Sequence, residues 1–186
     1  PPRPRCISDR IREEVSRVVL GYAGYDRGGG EIVIPEDLDA GLLFHELSHA
    51  WLAGDRFADR WVSEGLAEVV GERVAAETGG PTETFPAPAR DAAEALPLVA
   101  WADVDVQDGA DATEEYAYAA AWTAVSELGG GLDDATLGTL VAAACAGESA
   151  YAAPGEPGRP GLTDGRRFLA RVEGGGPGAA GPAAAR

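Results

Sequence analysis

The chain has 186 residues, a formal net charge of −16 and a hydrophobic content of 45%. That length is enough for one domain with a buried core, and the apolar content is that of a globular protein rather than a disordered one. The acidic charge argues against a nucleic-acid partner, because phosphate binding requires Lys and Arg. No apolar run approaches the roughly 20 residues of a membrane-spanning helix, so we expect no such segment in this chain.

Methionine is absent from the sequence, and for this reason we expect the chain to be a processed or partial form of a longer polypeptide. A signal peptide or anchor outside it would escape detection. Its location is therefore unknown, although we favour an extracytoplasmic one. The oligomeric state is also unknown.

The first 35 residues predict one helix and one strand. Residues 8–20 carry apolar side chains at helical spacing, with Ser8 or Asp9 as the N-cap. Glu31–Ile34 is short and β-branched and is followed by Pro35, which predicts a strand at a sheet edge.

Five further helices and two irregular regions follow. The predicted helices run from Asp37 or Asp39 to about Ala53, Ser63 to Glu77, Glu114 to Leu128, Asp133 or Asp134 to about Cys145, and Asp164 to Val172. Residues 81–113 are predicted to be irregular, with an apolar island at Leu96–Trp101. Residues 173–186, rich in Gly, Ala and Pro, predict a disordered tail.

Two cysteines, Cys6 and Cys145, lie far apart in the sequence. They are either two thiols or one disulfide joining the N-terminal segment to a late helix. Their separation does not match a zinc knuckle or a redox pair.

Residues 44–51 read FHELSHAW and contain both histidines of the chain. Residues four apart lie on one face of a helix, so His45 and His49 can both direct a ring nitrogen at one ion about 2.0–2.1 Å away. Glu46 is offset by one position and can take a proton from a metal-bound water. The pattern predicts a zinc site with Glu46 as general base, and a chance match is the alternative.

A catalytic zinc requires a third protein ligand and a position left for water. Residues 61–68, WVSEGLAE, supply Glu64 and Glu68 on one face of the next predicted helix. One carboxylate can bind the metal, and the other can accept the N–H of a ligating histidine and orient it. The alternative for these glutamates is a solvated helix face.

Together, HELSHAW and WVSEGLAEVV resemble the gluzincin metallopeptidases, and most closely the bacterial peptidase MA-like domains, in which HELxH precedes WxxEGxAE. The resemblance implies a zincin-like fold with zinc bound by His45, His49 and Glu64. It implies that Glu46 is the general base and leaves Glu68 as the orienting carboxylate.

The resemblance extends over about residues 30–172, although only the two motifs are specific. It implies that Glu31–Ile34 aligns an extended substrate. The segment between His49 and Glu64 is shorter than in well-known members, and a GxMEN-type segment is missing, so specificity for a free amino terminus is not implied.

Aminopeptidase relatives have a later helix with a tyrosine that donates a hydrogen bond to the oxyanion. Tyr118 fits best, because its spacing to Leu128 matches that pattern, and Tyr116 is the alternative. A phenol near the metal can stabilise a developing oxyanion. An aromatic residue of the core is an equally good interpretation.

These observations predict a mostly helical α+β, zincin-like domain over residues 1–172, with a small sheet or edge strand before the HExxH helix. We expect a zinc metallopeptidase acting on a peptide or protein substrate. A catalytically silent binding or scaffold domain is one alternative, which the intact Glu46 argues against. A zinc hydrolase with a non-peptide substrate is another, since HExxH indicates the metal chemistry and not the substrate.

Overall fold

The computed structural model describes residues 12–16, 24–26, 31–35, 40–52, 57–82, 85–102, 112–129, 133–145 and 163–175. The described part of the chain is mostly helical, as predicted. It contains five α-helices, α1 (Ala40–Leu52), α2 (Arg60–Thr78), α3 (Ala112–Gly129), α4 (Asp134–Cys145) and α5 (Gly165–Gly175). Three short strands precede them, β1 (Arg12–Ser16), β2 (Gly24–Asp26) and β3 (Glu31–Pro35).

The helix predicted over residues 8–20 is wrong where the structure describes it, because Arg12–Ser16 forms strand β1. This strand pairs in parallel with β3, in the register Arg12 opposite Glu31. The pairing is with a segment about twenty residues away, and such tertiary pairing overrides a local helical pattern. The other residues of that predicted helix lie outside the described part.

Strand β3 is present where the sequence predicted a strand, but it does not lie at an edge. The strand order is β1-β3-β2, with β2 antiparallel to β3. Residues 31–33 of β3 thus have a neighbouring strand on both sides, so this part of β3 is not placed to pair with an extended substrate. Ile32 in β3 is fully buried and packs with Leu43 and Leu47 of α1.

Helix α2 begins three residues earlier than predicted and ends within one residue of the predicted end. Asp59 has an extended backbone and precedes the first helical residue, Arg60. Gly79 ends the helix in the left-handed conformation, with φ of 73°, which glycine adopts without a steric penalty. The earlier start adds Arg60 and Trp61 to the buried end of the helix.

Helices α4 and α5 begin within one residue of their predicted starts, and α3 begins two residues earlier than predicted. The Asp133 carboxylate accepts a hydrogen bond from the Thr136 backbone N–H (2.7 Å) and caps α4, and Asp164 caps α5 in the same way through Arg167 (2.8 Å). Helix α5 continues to Gly175, so its end includes the first three residues of the predicted tail. The remainder of that tail and Cys6 lie outside the described residues, as does the side chain of Cys145.

The segment between α2 and α3 is irregular in its described parts, as predicted, apart from a 3-10 turn at Leu98–Ala100. The apolar island ends at Trp101, which is buried in the main core. Among the helices that the structure describes, none is long and apolar enough to cross a membrane.

Helix α2 is the central element, because it packs against α1 on one side and α3 on another. The core that it organises includes Val62, Leu66, Val70, Ala117, Ala121 and Val125. Glycines allow the close approach. A Cβ at Gly71 would lie 3.1 Å from the backbone nitrogen of His45 in α1, and one at Gly65 would lie 2.7 Å from the carbonyl oxygen of Ala121 in α3. The two neighbouring helices therefore approach α2 at these glycines too closely to admit a Cβ without a shift.

Candidate metal site

Helices α1 and α2 bring three side chains together at one buried point. His45 and His49 lie one turn apart on α1, and Glu64 faces them from the first turns of α2. All three residues are buried, and their ligand atoms form a group that can hold a metal ion. This is the set of residues that the resemblance to gluzincins implied.

The spacing of the three ligand atoms suits a small divalent ion. The two histidine Nε2 atoms are 2.9 Å apart, and Glu64 Oε2 lies 3.1 Å from His49 Nε2 and 3.3 Å from His45 Nε2. Ligand atoms that sit 2.0–2.1 Å from a tetrahedral ion are about 3.3–3.4 Å apart. The three donors thus lie close to the separations that one tetrahedral ion requires.

Each histidine has an oxygen near its other ring nitrogen. Glu68 Oε1 lies 3.0 Å from His45 Nδ1, and Ser63 Oγ lies 3.4 Å from His49 Nδ1. The Glu68 contact meets the distance of a hydrogen bond but not its direction, so we describe it as an ionic contact. Oxygens in these positions fix the orientation of ligating imidazoles. Sequence reasoning identified Glu68 and missed Ser63, although Ser63 directly precedes the proposed ligand.

The carboxylates govern the protonation of the site without metal. Burial alone would lower the pKa of His45, but its close contacts with the carboxylates of Glu64 and Glu68, and their negative charge, outweigh burial and raise it to about 10. Burial would raise the pKa of Glu64, yet its contacts with the two imidazoles hold that pKa well below its usual range. The metal-free site therefore keeps a carboxylate at Glu64 and a proton on His45 at neutral pH.

Glu46, the predicted general base, is buried and follows His45 on α1. Its place on the helix is the one that the HExxH arrangement requires, beside the ligand pair and not in line with it. The catalytic role of Glu46 stays a prediction.

Tyr118 lies on α3, close to the histidines. Its ring is 6.4 Å from that of His45 between centroids, in an edge-on arrangement. Burial, with the charge of Glu64, raises the pKa of the phenol above its usual value despite the nearby Arg60. Tyr116 precedes it by two residues on the same helix, so its side chain projects about 200° away around the axis. The structure therefore favours Tyr118 over Tyr116 as the tyrosine of this site.

Sequence reasoning missed an arginine beside the three candidate ligands. Arg60 lies one turn before Glu64 on α2, with its Nε 3.9 Å from Glu64 Oε1. Its guanidinium contacts Glu114 and Tyr118 of α3 and lies over the ring of Trp101. The R-x-x-x-E spacing of Arg60 and Glu64 was the available signal, but it did not reveal the partners on α3.

No protein-family model matches the chain, and neither does any curated protein or solved structure. The resemblance to gluzincins therefore depends on residues 44–51 and 61–68. The function has to be argued from the geometry that these residues adopt.

Proposed function

We propose that the chain is a zinc-dependent metallopeptidase of the gluzincin type, with a zincin-like fold. The observation that supports the proposal most directly is the convergence of His45, His49 and Glu64 at separations of 2.9–3.3 Å. Two neutral imidazoles and one carboxylate make the ligand set of catalytic zinc sites that leave one position for water. A structural zinc site would instead use four protein ligands, often cysteines.

The chain's own residues supply the remaining functions. When bound, zinc would polarise a water molecule and the scissile carbonyl. Glu46 accepts the proton of that water and later delivers it to the leaving amine. Tyr118 donates its hydroxyl hydrogen to the oxyanion as the carbonyl carbon becomes tetrahedral. The low dielectric of the buried site strengthens each of these interactions.

The proposal is tested by metal analysis and by digestion of an unstructured protein substrate. We expect about one zinc per chain after equilibration with zinc and removal of excess, and cleavage that a chelator abolishes and added zinc restores. The Glu46→Gln variant should retain zinc and lose hydrolysis by several orders of magnitude. Glu77→Gln, on the exposed end of α2, is the matched control and should keep both properties.

The outcomes separate the proposal from its two alternatives. Zinc binding without hydrolysis of peptides or small esters would indicate a silent binding domain. Chelator-sensitive hydrolysis of esters without cleavage of peptides would indicate a non-peptide substrate. Undiminished peptide hydrolysis by Glu46→Gln would refute the assignment of the base.

A further inference from the structure

A second group of buried polar side chains adjoins the proposed metal site. Arg60 binds the carboxylate of Glu114 in a two-point contact, Nη1 to Oε1 at 3.1 Å and Nη2 to Oε2 at 3.0 Å. Trp101 Nε1 donates to the same carboxylate at 2.7 Å, and the guanidinium lies 4.2 Å from the centre of the Trp101 ring. Arg60 also donates to the carbonyl oxygen of Ala102 at 3.0 Å. These contacts fix the guanidinium from several directions.

The guanidinium has a further contact, with Tyr118. Arg60 Nη2 donates to the Tyr118 hydroxyl oxygen at 3.2 Å. Glu114 and Tyr118 are four residues apart on α3, and Arg60 and Glu64 are four apart on α2, so the two pairs face each other across the α2–α3 contact. Arg60 therefore bridges the anchoring carboxylate and the phenol, one turn from a proposed zinc ligand.

The energetic cost of burying the Arg60–Glu114 ion pair suggests that the pair has a role other than packing. Glu114 is 5% exposed and lies against Trp101, a buried residue of the main core. A buried ion pair seldom stabilises a fold more than apolar side chains of similar size would. Burial alone would lower the pKa of Arg60, but Tyr118, then Glu114, raise it, so the residue stays cationic.

A phenol oxygen that accepts a hydrogen bond from a fixed guanidinium has its own hydrogen available in a restricted set of directions. The guanidinium also repels the hydroxyl hydrogen, so that hydrogen must point away from Arg60. The positive charge makes the phenol a stronger donor. Without Arg60, the hydroxyl could rotate and the ring could shift.

We propose that Arg60, anchored by Glu114 and Trp101, is a positioning residue that orients the Tyr118 hydroxyl for donation to an oxyanion at the metal. This inference rests on the proposed function for its catalytic meaning. Unlike the proposed function, the inference requires that the effects of substituting Arg60 and Tyr118 depend on each other. Metal binding alone does not require this.

The test uses the zinc-loaded chain and the variants Arg60→Gln, Arg60→Lys, Tyr118→Phe and the double variant Arg60→Gln with Tyr118→Phe. Three quantities are measured: kcat and KM for a peptide substrate, and the affinity for a phosphonamidate dipeptide, whose phosphorus group resembles a tetrahedral oxyanion. Arg73→Gln is the matched control, because Arg73 lies on the same helix in an exposed ion pair with Asp134.

We expect Arg60→Gln and Tyr118→Phe each to lower kcat by about 100-fold, as removal of one oxyanion donor does, with little change in KM. The phosphonamidate should bind roughly 10- to 100-fold more weakly to each variant. The double variant should be no worse than Tyr118→Phe alone, because Arg60 acts through Tyr118. Arg60→Lys should recover part of the loss, since it keeps the charge without the two-point geometry.

Loss of Arg60 leaves Glu114 buried without its cation, which can destabilise the chain for reasons unrelated to catalysis. The variant Arg60→Gln with Glu114→Gln avoids this, because it also removes the buried negative charge and keeps an amide oxygen that can accept from Trp101. It should fold, bind zinc like the unaltered chain and show the same reduced kcat and phosphonamidate affinity as Arg60→Gln.

The inference would be overturned if the kcat of the double variant fell by the product of the two single-variant losses. Unchanged phosphonamidate affinity in Arg60→Gln would also overturn it. Failure of the proposed function gives a different result, which is a zinc-loaded chain that cleaves no peptide. In that case the phosphonamidate affinities of the same variants still decide whether Arg60 orients Tyr118.

Discussion

The charged residues of helix α2 differ in burial between its two ends. In its first three turns, Arg60 and Glu64 are largely buried and meet side chains from α1 and α3. In its last turns, Arg73 pairs with an Asp134 whose side chain is 73% exposed, and Glu77 lies at the surface. Both ends use the same residue types on one continuous helix, so neither composition nor helix propensity accounts for the difference.

The comparison shows how burial can identify a site. Exposed ion pairs contribute about 0–1 kcal/mol and tolerate substitution. Buried charges cost several kcal/mol each unless partners with good geometry compensate, and proteins retain them where function needs them. The first end of α2 contains two such groups of buried charges. One is Glu64 with the histidines, and the other is Arg60 with Glu114.

The strongest test of this difference removes one glutamate from each end of helix α2. Glu64→Ala removes a proposed ligand and should weaken zinc binding by more than the roughly 100-fold that loss of an outer partner can cost. Glu77→Ala should leave zinc affinity unchanged. Competition with a chromophoric chelator measures both. Equal zinc affinity in the two variants would remove Glu64 from the ligand set.

Glycine substitutions test whether the close α2–α3 contact maintains the site. A Cβ at Gly65 would lie 2.6 Å from Val125 Cγ2 and 2.7 Å from the Ala121 carbonyl oxygen, so Gly65→Ala must push the helices apart. We expect a loss of about 1–3 kcal/mol in the free energy of unfolding, with weaker zinc binding. Chemical denaturation followed by circular dichroism measures the first quantity.

Gly138 in α4 is the control for that experiment, because a Cβ there would meet nothing within 4 Å. Gly138→Ala should stabilise the chain by roughly 0.5–1 kcal/mol through helix propensity and leave zinc binding unchanged. A stabilising effect of Gly65→Ala would show that the two helices do not need this close approach.

The sequence was sufficient for the local part of the site and insufficient for the rest. His45, Glu46 and His49 lie on one helical turn, so their geometry follows from the helix alone. The prediction of Glu64 required a second motif. The placement of that motif opposite the histidines depends on how α1 and α2 pack. The pattern of residues 61–68 left Glu64 and Glu68 open, and the resemblance selected Glu64. The structure places Glu64 beside the two imidazoles, in a group that could hold a metal ion.

Pairings over long sequence distances account for the failures. Arg60 and Glu114 are separated by 54 positions, and nothing in either local pattern indicates that they meet. Strand β1 was mistaken for a helix because the β3 pairing that stabilises it is not encoded in residues 12–16 themselves. A single sequence shows periodicity along one element, whereas partner choice between elements is decided by the whole core.

Orienting carboxylates provide a more moderate test on the same face of α2. Glu68→Gln should lower zinc affinity by about 10- to 100-fold, since the carboxylate 3.0 Å from His45 Nδ1 would lose its charge. Glu72→Gln, one turn further on, keeps an oxygen to accept from Trp122 and should have no effect on zinc. Zinc affinities that fall equally in both variants would indicate a general effect of charge.

A final test uses the dependence of zinc binding on pH and requires no substitution. The pKa of His45 is raised from 6.5 to about 10 in the metal-free chain, because Glu64 and Glu68 outweigh the opposing effect of burial. The protonated imidazole thus stabilises the metal-free fold fully below about pH 6.5, and this contribution is lost as the pH rises through 10. Zinc requires the neutral imidazole and must displace that proton.

Zinc affinity should therefore rise by about tenfold per pH unit between roughly pH 7 and 9, with one proton released for each zinc bound. Calorimetric titration in two buffers of different ionisation enthalpy counts the protons directly. Glu68→Gln should reduce the number released at neutral pH, because it removes one of the two carboxylates that hold the proton on His45. A zinc affinity independent of pH across this range would mean that His45 is already neutral before the metal binds.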